Sequence, residues 1–158
     1  MEPLIKQRGF ILLELLLACA VFIGAAGVFF LQGQAVMRQY YKQQVRLSAQ
    51  LLAADLRQLQ QRTMYKSGGA LRKLQVSSNN SSAYSFFDGW LEAKRVDFSK
   101  LGCGEVYFSK SLSAVSFSTN GAPAVNGEYL LKHRRLPDFY CRLVVQPVTG
   151  RVLLYEGE

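Results

Sequence analysis

The stretch FILLELLLACAVFIGAAGVFFL, residues 10–31, decides how the rest of this chain is interpreted. About 20 apolar residues, each rising about 1.5 Å along a helix, cross the hydrocarbon core of a bilayer. One charged residue, Glu14, interrupts the run. A lone carboxylate is costly in hydrocarbon, so its presence there predicts a functional partner. The sequence therefore predicts a transmembrane helix in which Glu14 has a functional partner, with a Glu14 that lies at headgroup depth and stays solvated as the alternative.

Two other kinds of N-terminal processing compete for this segment. A secretory signal peptide has an apolar core of about 7 to 15 residues, which is shorter than this run. The sequence Leu16-Leu17-Ala18-Cys19 fits a lipoprotein cleavage box, which would make Cys19 the lipidated N-terminus. However, Glu14 interrupts the apolar core and an apolar stretch follows Cys19, and neither feature is typical of a lipoprotein. Cys19 is instead interpreted as a small apolar residue of a membrane helix.

The residues Lys6-Gln7-Arg8-Gly9-Phe10, followed by Glu14, resemble the class III leader of type IV pilins and pseudopilins. In that family a basic leader ends in glycine, and the mature chain begins with phenylalanine and has glutamate as its fifth residue. The resemblance implies that a prepilin peptidase removes residues 1–9 on the cytoplasmic side, between Gly9 and Phe10, and methylates the amine of Phe10. It also implies an assembly role for Glu14, whose carboxylate would pair with the N-terminal amine of a neighbouring subunit. Removing one partner of such a buried pair costs about 3–5 kcal/mol, so the pair would favour subunits that dock in the correct register.

The chain departs from the family pattern at two positions. Ile11 stands where the family often has threonine, and no proline follows Pro3 until Pro123, so the proline kink common in the apolar helix is missing. Basic residues are nearly balanced on the two sides of the span, so charge alone does not orient it. The cytoplasmic processing implied by the resemblance places the rest of the chain outside the inner membrane.

Beyond the apolar run, residues 32–66 continue the helical pattern with amphipathic character. One helix from Phe10 to about Arg62, about 80 Å long, is predicted because no helix breaker precedes Ser67-Gly68-Gly69. A core-facing stripe is predicted from apolar residues near helical spacing, namely Val36, Tyr40, Leu47, Leu51, Ala54 and Leu59. The basic residues of this region are interpreted as a solvated face, with an interface as the alternative: Arg38, Lys42, Arg46, Arg57 and Arg62.

Residues 67–158 change in composition to strand-forming runs separated by turn residues. Seven strands are predicted at 83–87, 91–98, 105–108, 114–117, 128–132, 140–146 and 151–155. A polar loop is predicted at 77–82, and turns at Asp88-Gly89, Asn120-Gly121, Asn126-Gly127 and Thr149-Gly150. The predicted fold is α+β, with an antiparallel sheet on the second half of the helix, as the pilin resemblance also implies.

The last third of the chain carries a weaker resemblance. Residues 117–121 and the Thr149-Gly150-Arg151 turn are similar to the C-terminal sheet of minor pilins and minor pseudopilins. This resemblance favours a minor subunit over a major pilin.

Two cysteines, Cys103 and Cys141, lie in the domain expected outside the cytoplasm. In an oxidising compartment a disulfide between them is predicted, which would stabilise the domain by roughly 3–4 kcal/mol. Many pilins carry a C-terminal disulfide, although minor pseudopilins often lack one. Two separate buried thiols are the alternative.

The sequence offers little for catalysis. The one histidine, His133, stands among basic residues and is interpreted as part of a solvated loop. No metal-ligand spacing or phosphate-binding loop occurs in the sequence, so neither enzymatic activity nor a cofactor is predicted. The net charge of +8 would attract DNA, acidic polysaccharide or anionic lipid. A candidate nucleic-acid or anion patch, for which a generic basic surface or a subunit interface is the alternative, comprises Lys132, His133, Arg134 and Arg135, near Phe139 and Tyr140.

The sequence therefore predicts a non-enzymatic minor pilin or pseudopilin in the inner membrane, with a single span and an extracytoplasmic C-terminal domain. It would assemble into a type IV pilus, a type II secretion pseudopilus or a competence pilus. Its expected partners are other pilin or pseudopilin subunits, prepilin peptidase, the inner-membrane assembly platform with its ATPase and, through the basic patch, DNA. The alternative is a membrane-tethered DNA- or ligand-binding protein that does not polymerise.

Overall fold

The computed structural model describes residues 4–65, 72–77, 81–111, 114–125 and 127–158, with the backbone alone for 4–10 and 31. The chain divides into two compact units, Met1–Gln39 and Tyr40–Glu158. Three of the sequence predictions fall outside the described residues: the helix breaker Ser67-Gly68-Gly69, residues 78–80 of the polar loop, and Asn126 of one turn.

One long helix, α1, spans Leu4–Tyr65 and begins within the predicted leader. Its first part contains the apolar run, and its end lies three residues before the Gly68-Gly69 pair. Glycine lowers helix propensity by about 1 kcal/mol per residue relative to alanine, so a pair of glycines favours an end near this point. The prediction of one helix through both the apolar and the amphipathic segments is confirmed.

The unit Tyr40–Glu158 contains two four-stranded antiparallel sheets rather than the one sheet expected. The strands are β1 Arg72–Val76, β2 Ala83–Asp88, β3 Leu91–Asp97, β4 Val106–Lys110, β5 Ala114–Ser116, β6 Gly127–His133, β7 Leu136–Val145 and β8 Val152–Gly157. The first sheet has the order β3-β2-β1-β5 and the second has the order β4-β6-β7-β8. A 3-10 helix, Phe98–Leu101, follows β3. The α+β class is therefore confirmed.

A single hydrophobic core joins α1 to both sheets. The helix contributes residues spaced alternately by four and three, namely Val45, Ala49, Leu52, Leu56 and Leu59. The strands contribute alternate residues, as expected for sheets with one buried face. In β7, for example, Phe139, Cys141, Leu143 and Val145 are buried.

Two turns are held against α1 by one glutamine. The Nε2 atom of Gln60 donates to the carbonyl oxygen of Gly121 at 2.7 Å and to that of Thr149 at 3.3 Å. In the second turn Val148 has a φ of 71° and Gly150 a φ of 64°. A left-handed conformation is ordinary for glycine but strained for a β-branched residue such as Val148.

Candidate assembly segment and charged surfaces

The apolar segment of α1 has no protein partner among the described side chains. Every described side chain from Ile11 to Phe30 is exposed, including Phe22 and Phe29 at about three quarters of their maximum area. The segment belongs to the Ile11–Tyr65 part of α1, whose most apolar window has a mean hydropathy of 2.5 and is not buried at all. Among the described residues this is the one helix that is long and apolar enough to span a membrane.

Glu14 is exposed on the first part of this helix. It lies four residues after Phe10 in the sequence. It is the one acidic or basic residue between Gly9 and Gln32. This position suits a carboxylate that meets an N-terminal amine, provided that the chain is cut after Gly9.

The predicted core-facing stripe is wrong for most of its members. Val36, Tyr40 and Leu47 are more than half exposed, Ala54 is exposed, and Leu51 is partly buried. The buried face instead begins at Val45 and continues with the four- and three-residue spacing given above, so that only Leu59 belongs to both sets. A shift of two residues turns a helix by about 200°, which moves a side chain to the opposite face. The helix thus has two apolar faces, one covered by the sheets and one exposed.

Several of the basic residues of α1 make contacts within the domain, whereas the sequence predicts a solvated face. Lys42 forms an ion pair with Glu158, and the Nη2 atom of Arg46 lies 2.7 Å from the carboxylate of Glu156. Both cations also lie over the buried ring of Phe139, at 5.3 and 5.6 Å from its centre. Cation–π contacts of this kind add roughly 0.5–1 kcal/mol at exposed sites. These contacts attach the C-terminal strand to the helix.

The other two basic residues of α1 in the globular unit, Arg57 and Arg62, form different contacts. Arg57 is exposed, and its guanidinium donates to the carbonyl oxygen of Val152 at 3.3 Å. Arg62 is exposed beside a cleft described below. Arg38, in the other unit, is exposed.

The predicted basic patch is not a solvated loop. Lys132 and His133 are the last residues of β6, and Arg134 with Arg135 forms the two-residue turn into β7. His133 is fully buried, so it contributes nothing to an exposed patch. Lys132 is partly buried, with its amine 5.9 Å from the centre of the Tyr140 ring.

His133 is held by contacts on each side of its ring. The backbone N–H of Arg135 donates to Nδ1 at 3.1 Å, which leaves the ring proton on Nε2 to donate to the Gln44 Oε1 atom at 3.0 Å. The ring also stacks on Tyr41 with 4.4 Å between centres. Burial lowers the pKa of His133, with a smaller lowering by the Arg135 charge and an opposing effect of Glu105. The residue is therefore a neutral structural histidine.

Arg135 is likewise engaged within the domain. Its guanidinium donates to the Tyr41 hydroxyl at 3.3 Å and lies 3.5 Å from a carboxylate oxygen of Glu105. Of the four patch residues, Arg134 is the one exposed cation that forms no ion pair with the described residues. In the predicted DNA patch, the histidine is therefore buried and one arginine is paired with an acid.

The predicted disulfide is not present, because all three cysteines of the chain are free thiols. Cys141 is fully buried in the middle of β7, where burial raises the pKa of its thiol to about 12. Cys103 is buried after the 3-10 helix, and its Sγ atom lies 3.8 Å from the carbonyl oxygen of Leu101. A thiol with so high a pKa forms little thiolate, which is the reactive species in disulfide formation. The arrangement corresponds to the alternative of two separate buried thiols.

A surface that the sequence does not predict lies at the end of the β2–β3 hairpin. Its turn carries Trp90, the one tryptophan of the chain, which is 96% exposed. Beside the hairpin is a cleft of about 330 Å³ that contains several cationic side chains. The Asp88-Gly89 pair predicts the turn, but nothing in the sequence indicates that cations from α1 and β1 meet beside it. Among the described residues, no group of three or more histidine, cysteine or acidic side chains is suited to hold a metal ion.

The architecture thus defines an α+β protein with one N-terminal helix able to span a membrane. Comparison with known proteins finds no matching family model, and no curated protein or solved structure is significantly similar to the chain.

Proposed function

We propose that this chain is a minor pilin or pseudopilin, a non-enzymatic subunit that prepilin peptidase processes after Gly9 and methylates at Phe10. It is stored in the inner membrane with its C-terminal domain outside the cytoplasm. It then assembles into a type IV pilus, a type II secretion pseudopilus or a competence pilus. The observation that carries the proposal is the Gly9-Phe10 junction with Glu14 four residues later, at the start of an exposed apolar helix that continues into an α+β domain.

In this proposal Glu14 acts once the helix leaves lipid for a bundle of neighbouring helices. The carboxylate of an incoming subunit pairs with the new amine at Phe10 of a docked subunit. In a low-dielectric bundle, an unpaired carboxylate is far more costly than a paired one. A subunit docked out of register therefore leaves Glu14 unpaired and is released.

The second apolar face of α1 supports assembly in a separate way. Lipid suffices to cover the apolar run at 10–31, but Tyr40, Leu47 and Ala54 are exposed on the helix beyond that run. A filament of packed helices would cover both segments, whereas a plain membrane tether would leave the second exposed. The proposal therefore predicts that Leu47 is an assembly residue and not a core residue.

The first test is mass analysis of the N-terminus of the protein from membranes, with and without an active prepilin peptidase. A peptidase-dependent N-terminus at Phe10, carrying one added methyl group, is the expected result. An intact Met1 in the presence of the peptidase would instead indicate a simple tether, and a lipidated Cys19 would indicate a lipoprotein.

A second test separates assembly from processing. Glu14→Gln removes the charge while keeping the side-chain size, and it should abolish incorporation into sheared filaments while leaving leader removal intact. Glu105→Gln, at a partly buried acid of the globular unit that pairs with Arg135, is the matched loss of one charge and should incorporate normally. Normal incorporation of the Glu14 variant would refute the assembly role.

A further inference from the structure

The cleft beside the β2–β3 hairpin has an apolar floor and a cationic rim. Leu59 of α1 and Phe86 of β2 supply apolar surface, whereas Arg62 of α1 and Lys94 of β3 supply exposed cations. The volume of the cleft, about 330 Å³, lies at the lower end of the range for ligand sites. It therefore suits a few side chains of a longer ligand.

Two cations of this cleft are uncompensated. The guanidinium of Arg72 lies 3.8 Å from Asp88, which is the one carboxylate among the lining residues. Within the described parts of the chain, Arg62 and Lys94 form no ion pair. Apolar walls focus the potential of unpaired charges, so the cleft attracts anionic groups.

The register of the first sheet fixes which side chains share the α1 side of β3. Phe86 pairs with Leu74 on one side and with Lys94 on the other, so these three side chains lie on the same face. Leu74 is fully buried in the core that this sheet shares with α1. Arg95, the next residue after Lys94, lies on the opposite face because side chains alternate along a strand.

The strand that carries Lys94, β3, is an edge strand of the first sheet. Its first five residues, 91–95, are all exposed. Just beyond β3, the N–H of Phe98 donates to the carbonyl oxygen of Ser82 at 2.9 Å. Because inter-strand hydrogen bonds alternate along an antiparallel ladder, the N–H and C=O of Arg95 point away from β2, to the open side. An open edge of this kind can accept one more strand.

The other edge strands offer less to an additional strand. At the far edge of the first sheet, β5 has only three residues. In the second sheet, Lys110 of the edge strand β4 pairs with Glu128, and Glu156 of the edge strand β8 pairs with Arg46 of α1. Among the described strands, β3 therefore combines an open edge with a neighbouring cleft whose cations lack partners.

We propose that β3 binds an extended acidic segment of a partner protein, which adds to the first sheet as a fifth strand. Main-chain hydrogen bonds to β3 supply affinity, and carboxylates on the α1 side of the added strand pair with Lys94 and Arg62. An apolar strand would bury Lys94 without a counter-charge, so the lysine selects an acidic partner. Nucleic acid and lipid carry anions but no peptide groups, and they would leave the open edge of β3 without hydrogen bonds.

The probe is a fluorescein-labelled peptide of alternating glutamate and valine, as long as β3. Its anisotropy is followed while the full-length protein is added in nonionic detergent. Saturable binding that weakens with salt is expected, because exposed ion pairs are screened. The same peptide with every amide N-methylated keeps its charge but loses its donors and should bind at least about 10-fold more weakly. A peptide of alternating lysine and valine should not bind.

Charge variants test the cleft. Arg62→Gln with Lys94→Gln should weaken binding of the acidic peptide by about 2- to 30-fold, as expected for the loss of two ion pairs at exposed sites. Lys132→Gln with Arg134→Gln removes the same charge from the β6–β7 turn and should bind like the parent protein.

Backbone variants test the open edge. Arg95→Pro removes the outward N–H and should weaken binding by about 2- to 12-fold, the effect of one hydrogen bond. Proline is tolerated on edge strands, and circular dichroism should show that this variant remains folded. Arg95→Gln loses the same charge but keeps the N–H, and it should bind like the parent protein.

Three results would overturn the proposal. The first is the absence of saturable binding of the acidic peptide. The second is equal binding of the N-methylated peptide, which would identify the cleft as an anion site that adds no strand. The third is self-association of the protein that Arg95→Pro abolishes, which would assign the open edge of β3 to a second copy of the chain.

Discussion

Replacing one buried tyrosine should destabilise this protein far more than replacing another of the same size. The Tyr84 side chain is fully buried, and its hydroxyl donates to the Oδ2 atom of Asp55 at 2.7 Å. Burial, reinforced by the hydrogen bond to Asp55, raises the pKa of Tyr84 far above its usual value, so the phenol remains a donor. Tyr84→Phe removes the donor and leaves a buried carboxylate without it. A hydrogen bond to a charged group contributes about 1.5–3 kcal/mol, and the free energy of unfolding should fall by that amount.

Tyr129→Phe is the matched control. Tyr129 is also fully buried, but its hydroxyl has no hydrogen-bond partner in the described parts of the chain. Removing a buried hydroxyl that makes no bond should change the free energy of unfolding by less than about 0.5 kcal/mol, or increase it. Both variants lose one oxygen atom from an aromatic ring in the same core, so the difference between them isolates the contact with Asp55.

The assay is equilibrium urea unfolding of the full chain in nonionic detergent, followed by circular dichroism. Tryptophan fluorescence is unsuitable because Trp90 is already exposed in the folded protein. Equal losses in the two variants, or a greater loss for Tyr129→Phe, would refute the assignment of a stabilising contact to Tyr84 and Asp55.

Three further predictions address the helix face, the buried histidine and the last turn. In urea unfolding, Leu52→Ala should lower the free energy of unfolding by about 2–5 kcal/mol, whereas Leu47→Ala, at a residue 58% exposed, should change it by less than about 0.5 kcal/mol. Equal effects would contradict the assignment of Leu52 to the buried face of α1 and Leu47 to the exposed face. Because burial lowers the pKa of His133, the unfolded chain binds the proton more readily than the folded chain. The free energy of unfolding should therefore be greatest above about pH 6.5 and decline as the pH falls below that value. His133→Gln should flatten this decline between about pH 6.5 and 5.5, and an unchanged slope would assign the decline to other groups. In thermal unfolding, Val148→Gly should stabilise the protein by about 1 kcal/mol because it relieves a positive φ. Gly150→Ala should destabilise the protein by roughly 1–3 kcal/mol, because the φ of Gly150 is also positive and the added Cβ would meet a backbone carbonyl. The opposite signs would show that the turn is not strained as described.

The strand positions are largely predictable from the sequence, but the sheets are not. Each of the seven predicted strands overlaps an observed one, because alternation of apolar residues and turn signals are local properties. The short β1, Arg72–Val76, escapes prediction because two cations and a glutamine leave only Leu74 and Val76 to mark its buried face. Alternation does not show which strands pair. The pairing of β1 with β5 therefore has no signal in the sequence, nor does the division into two sheets.

The surroundings of His133 show why its interpretation as part of a solvated loop is wrong. Lys132, Arg134 and Arg135 beside it are basic, which favours a solvated loop, but the groups that bury it come from elsewhere. Gln44, which accepts its ring proton, and Tyr41, which stacks on it, lie about 90 residues earlier on α1. Only the packing of the second sheet on that helix brings these residues together, and a single sequence carries no direct record of such a contact.

The two apolar faces of α1 differ in what they contribute to this chain alone. Burial of Val45, Leu52 and Leu56 in the shared core stabilises the domain, with each fully buried apolar side chain contributing about 1.5–3 kcal/mol. Tyr40 and Leu47, on the opposite face, contribute little to the isolated chain and expose apolar surface to water. A tether needs neither of these two residues beyond the membrane, whereas a subunit packed among other helices gains from both. The exposed face is therefore an argument for assembly that does not depend on the processing motif at Gly9.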